Sequence, residues 1–374
     1  VNQSNDGRYR IGEHVVEIRA PRLSDADSWR RTNLEYEGRL RPAFGSPERD
    51  WDADHSCAAW AATWWTATHD PDVRIARVLT LEDGARDRVV GYQAWAGRDP
   101  RTGHAEASTW VAGLPRSYEV TAFFTASCVA DAFRTNPDLP YVVAPMAVHN
   151  RPPIALAESV GFTYLQTLRR LREYDGTPTD HSVHILANTE KSRDGLETVL
   201  ASIGAEPVPS RAATRPTLGA TLGLARHGVR RLRTRARAAR LPAESDDILG
   251  LAGARSGDGI RFQPTSRGGY TVAVGGRAVG ETGMHVDSGT STTEIIDRLR
   301  GDTSADEATA VLVAACRAAA ERQDTRRLTI ALADRHAAAH DALIALGFAS
   351  EGPTLPTIGD EGSPRESWTR LREE

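Results

Sequence analysis

"TWVAGLPRSYEVTAFF", residues 109–124, decides the fold. An apolar strand ends at Val111, an arginine follows at 116, and an apolar helix opens near Val120. A strand-to-helix turn that holds a phosphate on its amides favours glycine, because a Cβ crowds the ligand. Ser117, Tyr118 and Glu119 stand there instead. A carboxylate in that turn adds bulk and repels negative oxygens. The stretch has the layout of a phosphate loop without its glycines.

Around it, residues 15–187 alternate. "VVEIRAPRL" reads as a strand, and "SDADSWRRTNLEYEGRL" as one helix with Ser24 as N-cap. "CAAWAATWWTATH" is a second helix, with Trp60 and Trp64 four apart. Three strands lie between Arg74 and Gly113, and the quoted stretch follows them. "YVVAPMAV" is a strand, "PPIALAESVG" a short helix, and "FTYLQTLRRLREY" and "HSVHILA" are strands. The order is β-α-α-β-β-β-α-β-α-β-β.

A chain of 374 residues is too long for one ordinary core and predicts two domains. A net charge of −4 gives no global pull toward nucleic acid or membrane. Cys57, Cys128 and Cys316 lie too far apart for a disulfide framework or a zinc motif. The start, "VNQSNDGRYRIGEH", lacks the apolar stretch of a signal peptide, and no apolar run is long enough for a bilayer. The expectation is a soluble cytoplasmic protein with residues 1–14 flexible.

Between Glu206 and Glu244 there are nine arginines and no acid. Arg226, Arg230, Arg233 and Arg237 recur at helical spacing, predicting a helix with a basic face. From about residue 260 the first pattern partly returns. Strands joined by glycine turns lead to "TTEIIDRL", then a helix opening on the capping-box sequence Ser304–Glu307. "RRLTIAL" and "AAAHDALIALGF" follow. Gly161-Phe162 and Gly347-Phe348 lie 186 residues apart, each after strand and short helix, so the fold is read as duplicated. The domains are placed at 15–187 and 259–374, with 188–258 connecting them and opening the second.

These residues resemble the GNAT (acyl-CoA N-acyltransferase) superfamily twice over, an α/β fold of mixed sheets. The first half is similar to its ribosomal-protein alanine N-acetyltransferase branch. "AEASTWVAGLPRSYEVTA" lies without a gap on that branch's strand–loop–helix segment, and "EYDGTPTDH" (173–181) resembles a later one. Asn150 stands eleven residues before Gly161, as the family's cofactor-contacting Asn does. The resemblance implies acetyl-CoA or another acyl-CoA as donor, held at Trp110, Val111, Arg116 and Asn150, and at Arg300 and Gly301 in the second half. It implies transfer to a primary amine of a peptide or protein, with Glu106 removing the ammonium proton, and no metal. A second base candidate is Glu119. The second half has Asp302-Thr303 in its loop and His336 at the Asn position. Both halves lack the Tyr expected four residues before Gly-Phe; Ala157 and Leu343 stand there.

Two alternatives remain at this level. If the donor were phosphopantetheine on an acyl carrier protein, no pyrophosphate loop would be needed. The arginine helix would then suit an acidic carrier protein or leader peptide. A non-catalytic peptide-binding or regulatory protein is the other reading. Trp60, Trp64 and Trp65 are core or pocket lining. His336 and His340 share a helix face but lack a third ligand. His181 and His184 point to opposite faces of a strand. The arginine helix carries no interleaved aromatics, which argues against nucleic acid.

Overall fold

The computed structural model describes residues 6–45, 49–69, 76–84, 86–95, 99, 102–115, 117–209, 211, 215–238, 259–265, 269–287, 292–320, 326–333, 339–355 and 365–372. The chain forms two compact units. The first comprises residues 1–164, 173–177 and 182–241, the second residues 165–172, 178–181 and 242–374.

The first unit opens on a hairpin. β1 (Gly7–Ile11) and β2 (His14–Arg19) pair antiparallel from Gly7↔Ile18 to Ile11↔His14. The expected flexible terminus is therefore ordered from Gly7 on. Tyr9 and Ile11 alternate inward, and the Tyr9 ring meets Phe123 at 5.0 Å. Residues 24–40 do not form one helix. A 3-10 turn (Leu23–Asp25) leads into α1 (Ala26–Glu35) and α2 (Glu37–Phe44), which part at Tyr36. Ser24 is not the cap. Asp25 accepts the Arg22 N–H at 2.7 Å and both arms of the Arg19 guanidinium, at 2.7 and 2.9 Å.

The chain continues as α3 (Trp51–Asp54), α4 (Cys57–His69), β3 (Ala76–Asp83), β4 (Arg86–Trp95), β5 (Ala105–Val111), α5 (Tyr118–Thr135), β6 (Tyr141–Ala147), α6 (Arg151–Ser159), β7 (Thr163–Tyr174) and β8 (Thr177–Ala187). α7 (Glu190–Ile203), β9 (Glu206–Val208) and α8 (Leu218–Ala238) follow. The sheet order is β7-β8-β6-β5-β4-β3-β2-β1-β9. α5 is buried nearly all round from Val120 to Phe133 and forms the main core with Ile18, Leu79, Val90 and Val142. Trp29, Trp60, Val78 and Val89 form a second cluster. Trp60 is fully buried there, its indole N–H donating to the Arg22 carbonyl at 2.9 Å, so it is core rather than pocket lining.

α7 and α8 group with the first unit, not with the start of the second as the sequence pattern suggested. α8 lies on α4 through small residues. Ala220 is fully buried, and a Cβ on Gly223 would stand 2.8 Å from the Cys57 carbonyl oxygen. His227 and Arg231 cover Trp65, with ring centroids 6.1 Å apart and the guanidinium carbon 5.4 Å above the indole. Burial, and then the charges of Arg231 and Arg230, hold the His227 pKa below its ordinary value.

The second unit contains β10 (Ile260–Pro264), β11 (Gly269–Val274), β12 (Arg277–Asp287), β13 (Thr292–Leu299), α9 (Ala305–Ala320), β14 (Arg327–Ala333), α10 (His340–Ala345), β15 (Ala349–Pro353) and β16 (Arg365–Leu371). Its order, β10-β11-β12-β13-β14-β16-β15, repeats β2-β3-β4-β5-β6-β8-β7 of the first. In each, four antiparallel strands end on a parallel pair, and the last strand inserts before the one preceding it. This is the duplication expected from the two Gly-Phe endings. No helix among the described residues is long and apolar enough to cross a membrane.

Candidate active site

β5 and β6 pair at only two positions, Ala105↔Val142 and Glu106↔Val143. Beyond Glu106 the strands part, although β5 runs on to Val111 and β6 to Ala147. On its other edge β5 stays paired with β4, from Ala107↔Trp95 to Val111↔Gly91. The Ala112 N–H donates to the Val90 carbonyl at 2.7 Å. Antiparallel alternation then turns the amides of Trp110 and Ser108 toward β4, and those of Thr109 and Val111 toward the opening. The opening is thus lined by unpaired backbone that can take one more extended chain.

Glu106 is half-buried at the point of parting. It shares a sheet face with Ser108 and Trp110, the latter packed on the Trp29–Trp60 and Leu40–Trp51 clusters. The Val111 side chain is in the main core. At the far end, residues 112–115 are tied to the sheet through their carbonyls. Gly113, at φ +77°, accepts from Arg88 Nη2 at 2.8 Å, and Pro115 accepts from His14 Nε2 at 3.1 Å. Ser117 makes no side-chain cap on α5, so among the described residues the amides of Tyr118, Glu119 and Val120 have neither an intrahelical acceptor nor a cap. Glu119 is exposed in this first turn. Arg116 lies outside the described residues. Asn150 is half-buried at the start of α6 and does not use its side chain as a cap.

The sequence pattern does not single out His184 as a site residue. β8 neighbours β6 in the sheet, tied to it by the Asn188 N–H to Pro140 carbonyl bond (2.8 Å) and the Ser182 hydroxyl to Met146 carbonyl bond (3.3 Å). His184 therefore lies one strand from the β5–β6 opening, between these two ties. The ring is 2% exposed, Nε2 lies 3.6 Å from Glu158, and Nδ1 has no protein partner. Only its place in "HSVH" marked it in the sequence. Ala157 is buried in α6, and Leu343 is in the second core.

The second unit differs at the equivalent end. The Arg300 N–H donates to the Val279 carbonyl at 2.8 Å, as Ala112 does to Val90, and Gly280 pairs Leu299 as Gly91 pairs Val111. Arg300 is therefore the counterpart of Ala112, not of Arg116, and Gly301 follows it at the strand exit. Arg300 Nε pairs with Asp302 at 3.2 Å. The start of α9 is closed by its own side chains. The Ser304 hydroxyl accepts the Glu307 N–H at 3.3 Å, and Glu307 accepts the Ser304 N–H at 3.1 Å. Arg277 also pairs with Glu307 at 2.5 Å, and with the Ser304 bonds it holds that carboxyl below the usual carboxylate range. Asp302, Asp306 and Glu307 put three carboxylates around this helix start.

Among the described residues no three His, Cys, Asp or Glu side chains converge as metal ligands. His340 lies on Trp368, with ring centroids 4.7 Å apart, and His336 is outside the described residues.

A family model described as an acetyltransferase (GNAT) domain matches residues 18–183. The match spans less than half of the chain, most of it in the first unit, and marks that region as similar to a GNAT acetyltransferase domain. Solved structures with similarity include RimJ of Mycobacterium smegmatis in complex with CoA-disulfide, at 24% identity over 54% of this chain and 96% of that one, TM-score 0.46. The ribosomal-protein-S5-alanine acetyltransferase of Vibrio fischeri gives 13% identity, coverages of 50% and 98%, and TM-score 0.39. The ribosomal-protein-alanine N-acetyltransferase of Brucella melitensis gives 20%, coverages of 46% and 98%, and TM-score 0.36. Comparison with curated proteins gives no match.

Proposed function

We propose that the chain is an N-acetyltransferase that uses acetyl-CoA in its first unit only and acetylates a peptide or protein amine. The observation that carries this is the contrast between the two helix starts at matching sheet positions. α5 leaves three amides uncapped at the mouth of the parted strands, whereas α9 is closed by Ser304, Glu307 and Arg277. An uncapped helix start suits a pyrophosphate, and three carboxylates oppose one.

In this reading the Thr109 and Val111 amides hold the donor's extended arm, and Trp110, Arg116 and Asn150 complete its site. Glu106 takes the proton of the incoming ammonium, whose nitrogen then forms the new C–N bond as the C–S bond breaks. The second unit, with Arg300 and Gly301, is scaffold or acceptor-binding surface. A peptide acceptor is supported by the resemblance of 105–122 and 173–181 to the alanine N-acetyltransferase branch.

We assign His184 to the departing sulfur, because Ala157 offers no hydrogen bond there and Nδ1 is unpaired one strand from the opening. Changing His184 to Leu is expected to lower kcat about tenfold with KM for acetyl-CoA unchanged, in a variant that keeps its circular dichroism. An equal loss in both parameters would give His184 a structural role.

Isothermal titration with acetyl-CoA tests the whole reading, followed by mass spectrometry of a peptide-amine panel. The expected result is a single molecule bound per chain and peptides that gain one acetyl group. Binding of a pantetheine thioester without binding of coenzyme A would instead point to a carrier-protein donor, and silence from both to a non-catalytic protein. Glu119 bears on the same choice. If a pyrophosphate lies at α5, Glu119→Gln removes a like charge and tightens acetyl-CoA binding about fivefold at low salt, less at high salt. No change would place the pyrophosphate elsewhere.

A further inference from the structure

α8 buries the face opposite to the one its sequence favours for burial. Ala220 and Gly223 face α4, while Leu218, Leu222, Ala225, Val229 and Leu232 are all exposed. Leu218 is 75% exposed and Leu232 68%. Of the nine large hydrophobics exposed among the described residues, four lie on this one helix. Their spacing, 4-3-4-3, is that of heptad positions d, a, d, a, d. Arg226 and Arg233 immediately follow two of the d residues and so occupy e positions, with Arg230 beyond them. All three are exposed, and no carboxylate pairs with them among the described residues.

We infer that this seam is a docking surface for an amphipathic helix of a partner protein, with leucine-type residues at its own a and d positions and acidic residues flanking them. The width of the stripe selects a helix. A strict a/d seam fits one facing helix, whereas a helix lying in a membrane surface presents a broader apolar face, commonly with Trp or Phe. This seam has neither aromatic residues nor that breadth. The charge selects the partner's sign. A second copy of α8 would set these arginines against Thr221 and Gly228 if parallel and against each other if antiparallel, with no acid in either case, while glutamates or aspartates there form the flanking pairs that set coiled-coil partner choice. The segment 207–243 supplies no acid of its own to neutralise them. Recognition of this kind fills the seam with apolar anchors and uses the flanking charges for specificity. The inference stands independently of the acyl-transfer reading.

The test uses the full chain and two designed peptides of about four heptads, each with Leu at a and d. One carries Glu at e and g, the other Lys. Titration monitored by fluorescence anisotropy is expected to show salt-sensitive binding of the Glu peptide only. Leu222→Gln combined with Val229→Gln is expected to weaken it at least about tenfold, and Arg226→Glu with Arg233→Glu to transfer the preference to the Lys peptide. These positions are exposed, so unchanged circular dichroism establishes that the variants fold. Failure of a folded wild-type chain to bind the Glu peptide overturns the inference. So does seam-dependent binding to vesicles containing phosphatidylserine in place of the peptide, which would make the surface lipid-binding. A dimer in sedimentation that the Leu222/Val229 variant abolishes would show that a second copy covers the seam.

Discussion

Glu106→Gln is expected to lower kcat for acetylation about 10²-fold or more while leaving acetyl-CoA binding unchanged. The carboxylate stands at the last paired position before β5 and β6 part, on the face that also carries Trp110. In the proposed reaction it converts a protonated amine, of pKa about 8 for an α-amine, into a nucleophile at neutral pH. Without it, only the roughly one-tenth of acceptor that is neutral at pH 7 can attack, and no group takes the second proton as the C–N bond forms. The deficit should therefore shrink as pH rises through about 8, where solution supplies the free amine. A pH–rate profile of both proteins on one peptide, with titration of acetyl-CoA alongside, measures this. A change under about threefold with binding intact would mean that another group is the base. A wild-type chain that binds acetyl-CoA but acetylates nothing would favour the non-catalytic reading.

The second large effect is on stability. In the second unit Arg327 and the Glu351 side chain are each 1% exposed and paired. Arg327 donates to Glu351 Oε1 at 2.9 Å, to Glu351 Oε2, to the Thr369 hydroxyl at 3.1 Å and to the Arg169 carbonyl. Glu351 also accepts from the Arg169 N–H at 2.8 Å and from the Thr369 hydroxyl at 2.6 Å. Arg327→Met takes the buried cation from Glu351 and leaves it only the more exposed Arg169 guanidinium, 3.5 Å away, which costs about 3–5 kcal/mol. Adding Glu351→Gln should recover much of that loss, because the desolvated charge is gone. Urea unfolding gives the magnitude. Hydrogen exchange should lose protection in β14, β15 and β16 and in residues 165–172, all within this unit. A loss below about 1 kcal/mol would mean that water reaches Glu351 and screens it as on a surface.

The legible parts of this molecule were those written in local periodicity. Alternation gave the strands around the quoted stretch, the helical period gave α4, α5 and α9, and the two Gly-Phe endings gave the duplication that the repeated strand order bears out. Position on a strand placed Glu106, and the Ser304–Glu307 pattern gave a real capping box. Strand pairing decides what local periodicity leaves open. β1 is held by β2 and β9 rather than by its own pattern. Arg300 resembled a phosphate-loop arginine until the ladder register matched it to Ala112.

The sequence by itself determined which residues share a strand face or a helix face, because side-chain direction follows the backbone period alone. Only the tertiary structure decided which face is covered and where strands part. α8 shows the reason. Its leucines are the more hydrophobic stripe, yet it lies on α4 through Ala220 and Gly223, because the backbones approach too closely there for a larger side chain. Burial depends on the shape of the surface opposite, and no periodicity within one segment carries that shape.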